Sequence, residues 1–168
     1  ATLDITGYML RSADIAVVTE LAPDLPPVWA DKDQLAQVLM NLVVNAQQAM
    51  LEVPGPRRLE IATEADVARE RVRLRVRDTG PGVPRDIRSR IFEPFFTTKP
   101  MGKGTGVGLA VSRGIVQAHG GRITLAGGSG PGAAFTVELP MATNTSGLRA
   151  DATRNCGNGR PCRILLVD

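Results

Sequence analysis

At 168 residues the chain suits one compact domain with a tail, and an apolar fraction of 43% is enough for a core. Only 4% of residues are aromatic, so that core must rest on Leu, Val, Ile and Ala, and the 18 glycines follow no collagen-like or low-complexity period. The net charge of +3 is dispersed as arginine rather than gathered in a stripe with interleaved aromatics, which argues against a nucleic-acid binder, and no segment reaches the roughly 18 apolar residues of a membrane helix.

Residues 1–12 read as the end of an upstream helical segment. Ile15–Glu20 reads as a strand, followed by a Pro-rich turn from Pro23 to Pro27. Asp31 then caps a helix that runs to about Met50, with Gln34 at the capping-box position three residues on. Two strands follow, Leu59–Ala65 and Arg71–Asp78. In the second, Val72, Leu74 and Val76 alternate with Arg71, Arg73, Arg75 and Arg77, the pattern of a half-buried strand. The four arginines fit a solvated sheet face better than a binding stripe.

After the turn-rich DTGPGVP (78–84), Arg85–Ile91 is expected to form a short helix. Residues 93–108 (EPFFTTKPMGKGTGVG) are dense in Gly, Thr and Lys. Leu109–His119 reads as a helix that stops at Gly120-Gly121. Gly121–Ala126 and Ala133–Leu139 read as two more strands. Residues 141–161 lose all periodicity and read as a linker, and 162–168 (CRILLVD) as a hydrophobic strand. Cys156 and Cys162 have no companion Cys or suitable His and are read as unpaired thiols. Strands with helices on one face describe a two-layer α/β sandwich of the α+β class with a mixed sheet.

Three features carry chemistry. On the first helix, Gln34, Gln37, Asn41, Asn45 and Gln48 recur at three- and four-residue steps and share one side. An amide carbonyl is a hard oxygen ligand for Mg²⁺, and the NH₂ group can donate to phosphate; an ordinary solvated helix face has the same pattern. Asp78 ends an apolar strand, where its carboxylate could accept from an exocyclic amine such as adenine N6. Gly80 and Gly82 would allow close ligand approach. A plain Asp-Gly turn reads the same way. Gly102, Gly104, Gly106 and Gly108 alternate before a helix, with Lys99 and Lys103 nearby. Backbone N–H groups there can surround phosphate oxygens, and a flexible loop is the competing reading. The spacing is neither a Walker A loop nor a dinucleotide fingerprint.

The order of these motifs resembles that of the GHKL ATPases, in their histidine-kinase branch. NLVVNAQQAM (41–50) resembles the N box and DTGPG (78–82) the first glycine box. IFEPFFTTK (91–99) resembles the phenylalanine box, GKGTGVGLAVSRGIVQAHGG (102–121) the second glycine box, and GPGAAFTVELP (130–140) the closing strand. The resemblance implies an ATP-binding catalytic domain over 13–140 that transfers the γ-phosphoryl to a histidine on a separate dimerisation domain. It implies Mg²⁺ and phosphate contacts from Asn41 and Asn45, with Gln48 standing where many members carry a basic residue. It implies an adenine pocket from Asp78, Gly80, Gly82 and Val83, with Thr136 on the adenine side. It implies a lid from Thr98 to Gly108, with Lys99, Thr105 and Val107 in it and Gly104, Gly106, Gly108 and Leu109 near the phosphates; with few apolar anchors, residues 96–106 should be mobile in the absence of nucleotide.

CRILLVD (162–168) resembles the opening of a receiver domain, which implies a hybrid kinase as parent, a response regulator as partner and a cytoplasmic location, with no membrane contact by this chain. The single histidine, His119, is expected to cap a helix C-terminus in the favourable dipole field and not to accept phosphate, so the chain should not autophosphorylate alone. Asn41 stands where gyrase-like and chaperone-like relatives carry a general-base Glu, which implies little intrinsic hydrolysis. A nucleotide-binding or scaffolding module without transfer activity, and a GHKL serine kinase, are the alternatives.

Overall fold

The computed structural model describes residues 10–99, 104–126, 132–142 and 163–164. The elements in chain order are β1 (Ile15–Leu21), β2 (Val28–Trp29), α1 (Lys32–Leu51), β3 (Arg57–Asp66), β4 (Arg71–Asp78), α2 (Gly108–Ala118), β5 (Arg122–Leu125), β6 (Ala134–Pro140) and β7 (Arg163–Ile164). Five strands form a sheet in the order β1-β3-β4-β6-β5. β1 and β3 are parallel, and the other neighbours are antiparallel. A parallel pair needs a long crossover, and α1 supplies it. The sheet is therefore mixed, with both helices on one face.

Strand alternation decides that face. Val72 and Val76 of β4 stand opposite Leu139 and Phe135 of β6, and all four are buried. Against them pack Val38, Leu42, Val43, Ala46 and Met50 of α1 and Val116 of α2. Spacings of three and four residues place the α1 set on one side of the helix.

The intervening arginines point to the other face, and each is engaged. Arg73 pairs with Asp66 at 2.6 Å, Glu138 at 2.9 Å and Glu64 at 3.2 Å. Arg75 lies 3.6 Å from Glu64 and Arg77 4.0 Å from Glu60, while Arg71 donates to the Gly120 carbonyl. Arg122 and Arg73 together hold the Glu138 carboxyl below its usual range. Acidic side chains on the flanking strands thus neutralise the ladder, as expected of a solvated sheet face.

The capping of α1 differs from expectation in one partner. Asp31 Oδ1 accepts from the N–H groups of Asp33 and Gln34, as an N-cap should. The reciprocal half of the box does not come from Gln34. The Asp31 N–H instead donates to His119 Nε2 at 3.0 Å, 88 residues away. Its Nδ1 lies 2.7 Å from the Ile115 carbonyl, which can only accept. That fixes Nδ1 as the protonated nitrogen and the ring as neutral. His119 does close the end of α2, but as a hydrogen-bonded bridge between two helix termini rather than as a cation in a dipole field. His119→Ala should cost about 1–3 kcal/mol in urea denaturation, because it strands the Asp31 N–H; an unchanged midpoint would show the bridge to be idle.

The short helix expected at Arg85–Ile91 does not form. Residues 85–96 form successive three-residue turns, closed by Ile87 N–H to Pro84 O, Arg90 to Ile87, Glu93 to Arg90 and Phe96 to Glu93, and no α-helix. The chain never takes up the i to i−4 pattern there. The linker read at 141–161 lies outside the described residues beyond 142. Of 162–168, residues 163–164 pair antiparallel with Val28–Trp29, and the rest lies outside them.

Candidate functional site

A cleft of about 480 Å³ opens between α1, the end of β4, the turns of 81–96 and the start of α2. Its floor is apolar, from Ala46, Ala49, Ile91, Ala133 and Phe135. Phe92 meets Phe135 edge to face at 6.3 Å, which anchors the turn segment to the sheet, and Arg90 lies over Phe96 at 4.5 Å within that segment.

Asp78 closes one end, 3% exposed. Its Oδ1 accepts from the N–H groups of Gly80 at 2.8 Å and Ala133 at 3.2 Å. Both backbone donors fall on one oxygen, which leaves Oδ2 for a ligand donor. Burial pushes the Asp78 carboxyl above its ordinary value, against the two backbone hydrogen bonds and Arg77, which pull it down. A Cβ at Gly80 would lie 3.0 Å from Asp78 Oδ1 and 3.1 Å from Ala49, so only glycine fits beneath the carboxylate without displacing it.

The other end is polar. Asn41 Nδ2 donates to the Gly108 carbonyl and to Ser112 Oγ, both at 3.1 Å. A carbonyl can only accept, so these contacts fix the amide orientation and leave Oδ1 free to serve as a ligand. Fully buried Ser112 donates to the same Gly108 carbonyl within α2, and Asn41 ties α1 to both residues. Asn45 lies one turn on and also lines the cleft. The N-cap of α2, Val107, gives no side-chain cap, so the first-turn N–H groups have no side-chain partner there, where Gly106, Gly108 and Leu109 line the cleft. Gly106 has φ +64°, and a Cβ there would lie 2.5 Å from the Phe95 backbone. Phe95 itself holds φ +65° and is 80% exposed, strained at the base of the glycine segment.

A family model described as histidine kinase-, DNA gyrase B-, and HSP90-like ATPase matches residues 30–143. The chain belongs to this family. It is 43% identical over 142 residues to the two-component sensor PprA of Pseudomonas aeruginosa, covering 83% of this chain and 15% of that protein. It is 44% identical over 140 residues to the sensor histidine kinase ZraS of Escherichia coli, covering 83% and 29%. The chain therefore spans less than a third of either relative. The nucleotide-free catalytic domain of histidine kinase ThkA superposes with a TM-score of 0.72 at 33% identity, covering 83% of this chain and 88% of that one. The chain is thus homologous to the ATP-binding catalytic domains of sensor histidine kinases and shares their mixed α/β fold.

Within this GHKL domain, the structure gathers most of the residues singled out from sequence around one cleft. Asn41, Asn45, Gln48, Asp78, Gly82, Val83, Thr98, Lys99, Gly104, Thr105, Gly106, Gly108 and Leu109 all line it. Gly80 and Val107 are not among the residues that line it. Gln34 and Gln37 are exposed outside it, so the amide stripe of α1 divides into a solvent half and a cleft half. Thr136 is a correction. It pairs with Arg75 on the opposite sheet face, because Phe135 and Val137 take the inward positions of β6. Among the described residues of that segment, Ala133 and Phe135 reach the cleft. Sequence reading also missed Glu52, the C-cap of α1, which lies at the cleft mouth one turn beyond Gln48. Continuing the three- and four-residue steps past Gln48 would have found it. Among the described residues no group of three His, Cys, Asp or Glu could hold a metal, and no helix is long and apolar enough to cross a membrane.

Proposed function

We propose that the chain binds Mg·ATP in this cleft and positions its γ-phosphoryl for transfer to a histidine on a separate dimerisation domain. The observation that carries this reading is Asp78, a buried carboxylate with one oxygen saturated by backbone and the other free at the closed end of an apolar cleft. It would accept from the adenine 6-amino group, with the base over Ala49, Ile91 and Phe135. The α2 N-terminus and Gly104–Gly108 would surround the phosphates. Asn41 and Asn45 offer hard amide oxygens and no carboxylate cage, which suits Mg²⁺ held jointly by protein, waters and phosphate oxygens. The metal would supply charge neutralisation, while the protein's share is positioning. His119 is unsuited as acceptor, since both ring nitrogens are hydrogen-bonded.

The acceptor domain, the receiver read at 162–168 and a partner regulator belong to this proposal, as does the cytoplasmic location. A ThkA structure in complex with response regulator protein TrrA, at TM-score 0.68 and 31% identity, supports the partnership. Calorimetric titration tests the reading. Mg·ATP should bind at least ~100-fold tighter than Mg·ITP, whose 6-oxo group sets an acceptor against Asp78. Asn45→Ala should weaken Mg·ATP about tenfold and leave metal-free adenosine unchanged. Equal binding of the two nucleotides, or an indifferent Asn45 variant, would remove the respective assignment.

A further inference from the structure

The cleft has a charge problem. It is lined by two carboxylates, Asp78 and Glu52, and among its described lining residues Lys99 is the single cation. A nucleotide triphosphate adds several negative charges to that space. The α1 position that would face the phosphates, residue 48, is a neutral glutamine. Yet Lys99 Nζ donates to Gln48 Oε1 across 51 residues, bridging the segment before Pro100 to α1.

We infer that Gln48 is a positioning residue, whose carbonyl holds the Lys99 ammonium over the phosphate end of the cleft as the cation of the site. This rests on the ATP reading above. The logic is chemical. An amide oxygen orients an ammonium without neutralising it, whereas a carboxylate at 48 would cancel the charge the phosphates need. Gly104 leaves room for the stem of Lys99, since a Cβ there would meet Lys99 Cδ at 3.0 Å and Cβ at 3.2 Å. Gly104 and Lys99 therefore lie against each other at this side chain. Burial lowers the Lys99 pKa, while Glu52 raises it. A half-desolvated ammonium of this kind gains more from an approaching phosphate than a fully hydrated one.

Calorimetry on the full chain with Mg·ATP and with adenosine separates this role from a structural one. Lys99→Met should weaken Mg·ATP about tenfold and leave adenosine unchanged. Gln48→Leu should weaken Mg·ATP about threefold to fivefold, and the double variant should be no worse than Lys99→Met alone. Gln48→Arg in the Lys99→Met background should restore most of the loss, because it returns a cation to the same place. Retained adenosine affinity also shows that each variant is folded. Undiminished Mg·ATP affinity in Lys99→Met, a parallel fall for adenosine, additive single effects or no rescue by arginine would each overturn the inference. Wild-type chain that binds neither ligand would overturn the ATP reading along with it.

Discussion

Asp78→Asn should abolish adenine-nucleotide binding, weakening it at least ~100-fold, while leaving the fold as stable or more so. The asparagine Oδ1 can keep both hydrogen bonds from Gly80 and Ala133, so the loop need not move. The change falls on the other atom, where Nδ2 would oppose the adenine 6-amino group donor to donor. A site built to accept from an amine loses the whole contact and leaves two donors facing each other in a desolvated pocket. Folding responds in the opposite direction. Burial raises the Asp78 pKa, so the fold prefers the protonated acid. That preference contributes stability in full below the ordinary carboxylate range, and it is lost as pH rises through the raised value. Ionising this buried carboxyl as pH rises therefore costs the wild type stability that the asparagine variant does not lose. Thermal melts should show the variant at or above wild type at pH 7, with the gap closing near pH 4. A variant less stable at pH 7, with the gap widening in acid, would mean the carboxylate is a structural anchor rather than a ligand group held at some cost.

That opposition between stability and binding explains what was legible in the sequence. β4 and α1 were readable because their alternation follows from burial on one face, and burial is what their stability rests on. Val72, Val76, Leu42 and Val43 lie inside as their periods require. Asp78 was readable for the contrary reason, as a carboxylate closing an apolar run, where nothing in the fold asks for charge. The residues that escaped are set by long-range geometry. Thr136 looked like a site residue by order along the chain, but a period of two sent it to the arginine face and gave its neighbour Phe135 the cleft. His119 met Asp31 and Lys99 met Gln48 across 88 and 51 residues, distances over which no local pattern operates. The 85–96 turns carry helix-compatible composition, yet their hydrogen bonds reach only three residues back, held by the contacts of Phe92 and Phe96.

Gly132→Ala is expected to be the most damaging glycine-to-alanine change among the described residues. Gly132 has φ +91°, a conformation an L-residue adopts only under strain. A Cβ there would lie 1.8 Å from the Asp78 carbonyl oxygen and 2.7 Å from its carbon. That obstacle is backbone of a sheet strand, so no rotamer change relieves it. It is also the hinge of the site. Asp78 donates to the Ala133 carbonyl at 3.0 Å, and Ala133 donates back to Asp78 Oδ1. Gly82, with φ +76°, leans on the same glycine, since its own Cβ would lie 2.9 Å from the Gly132 carbonyl oxygen. Relieving the clash must therefore open the Asp78–Ala133 pair and shift the 80–82 loop with it. The conformational penalty of about 1–2 kcal/mol adds to the loss of about two hydrogen bonds. Chemical denaturation should show a loss of about 3 kcal/mol or more, and the fraction still folded should have lost adenosine as well as ATP. Gly55→Ala is the matched control, also at positive φ (+119°) but with nothing within 4 Å of its added Cβ. It carries the conformational penalty without the overlap, so the difference between the two variants measures the close approach that builds the adenine end of the cleft. Similar losses in both would mean that the overlap is absorbed by relaxation and that the Asp78–Gly132 contact is not what shapes the site.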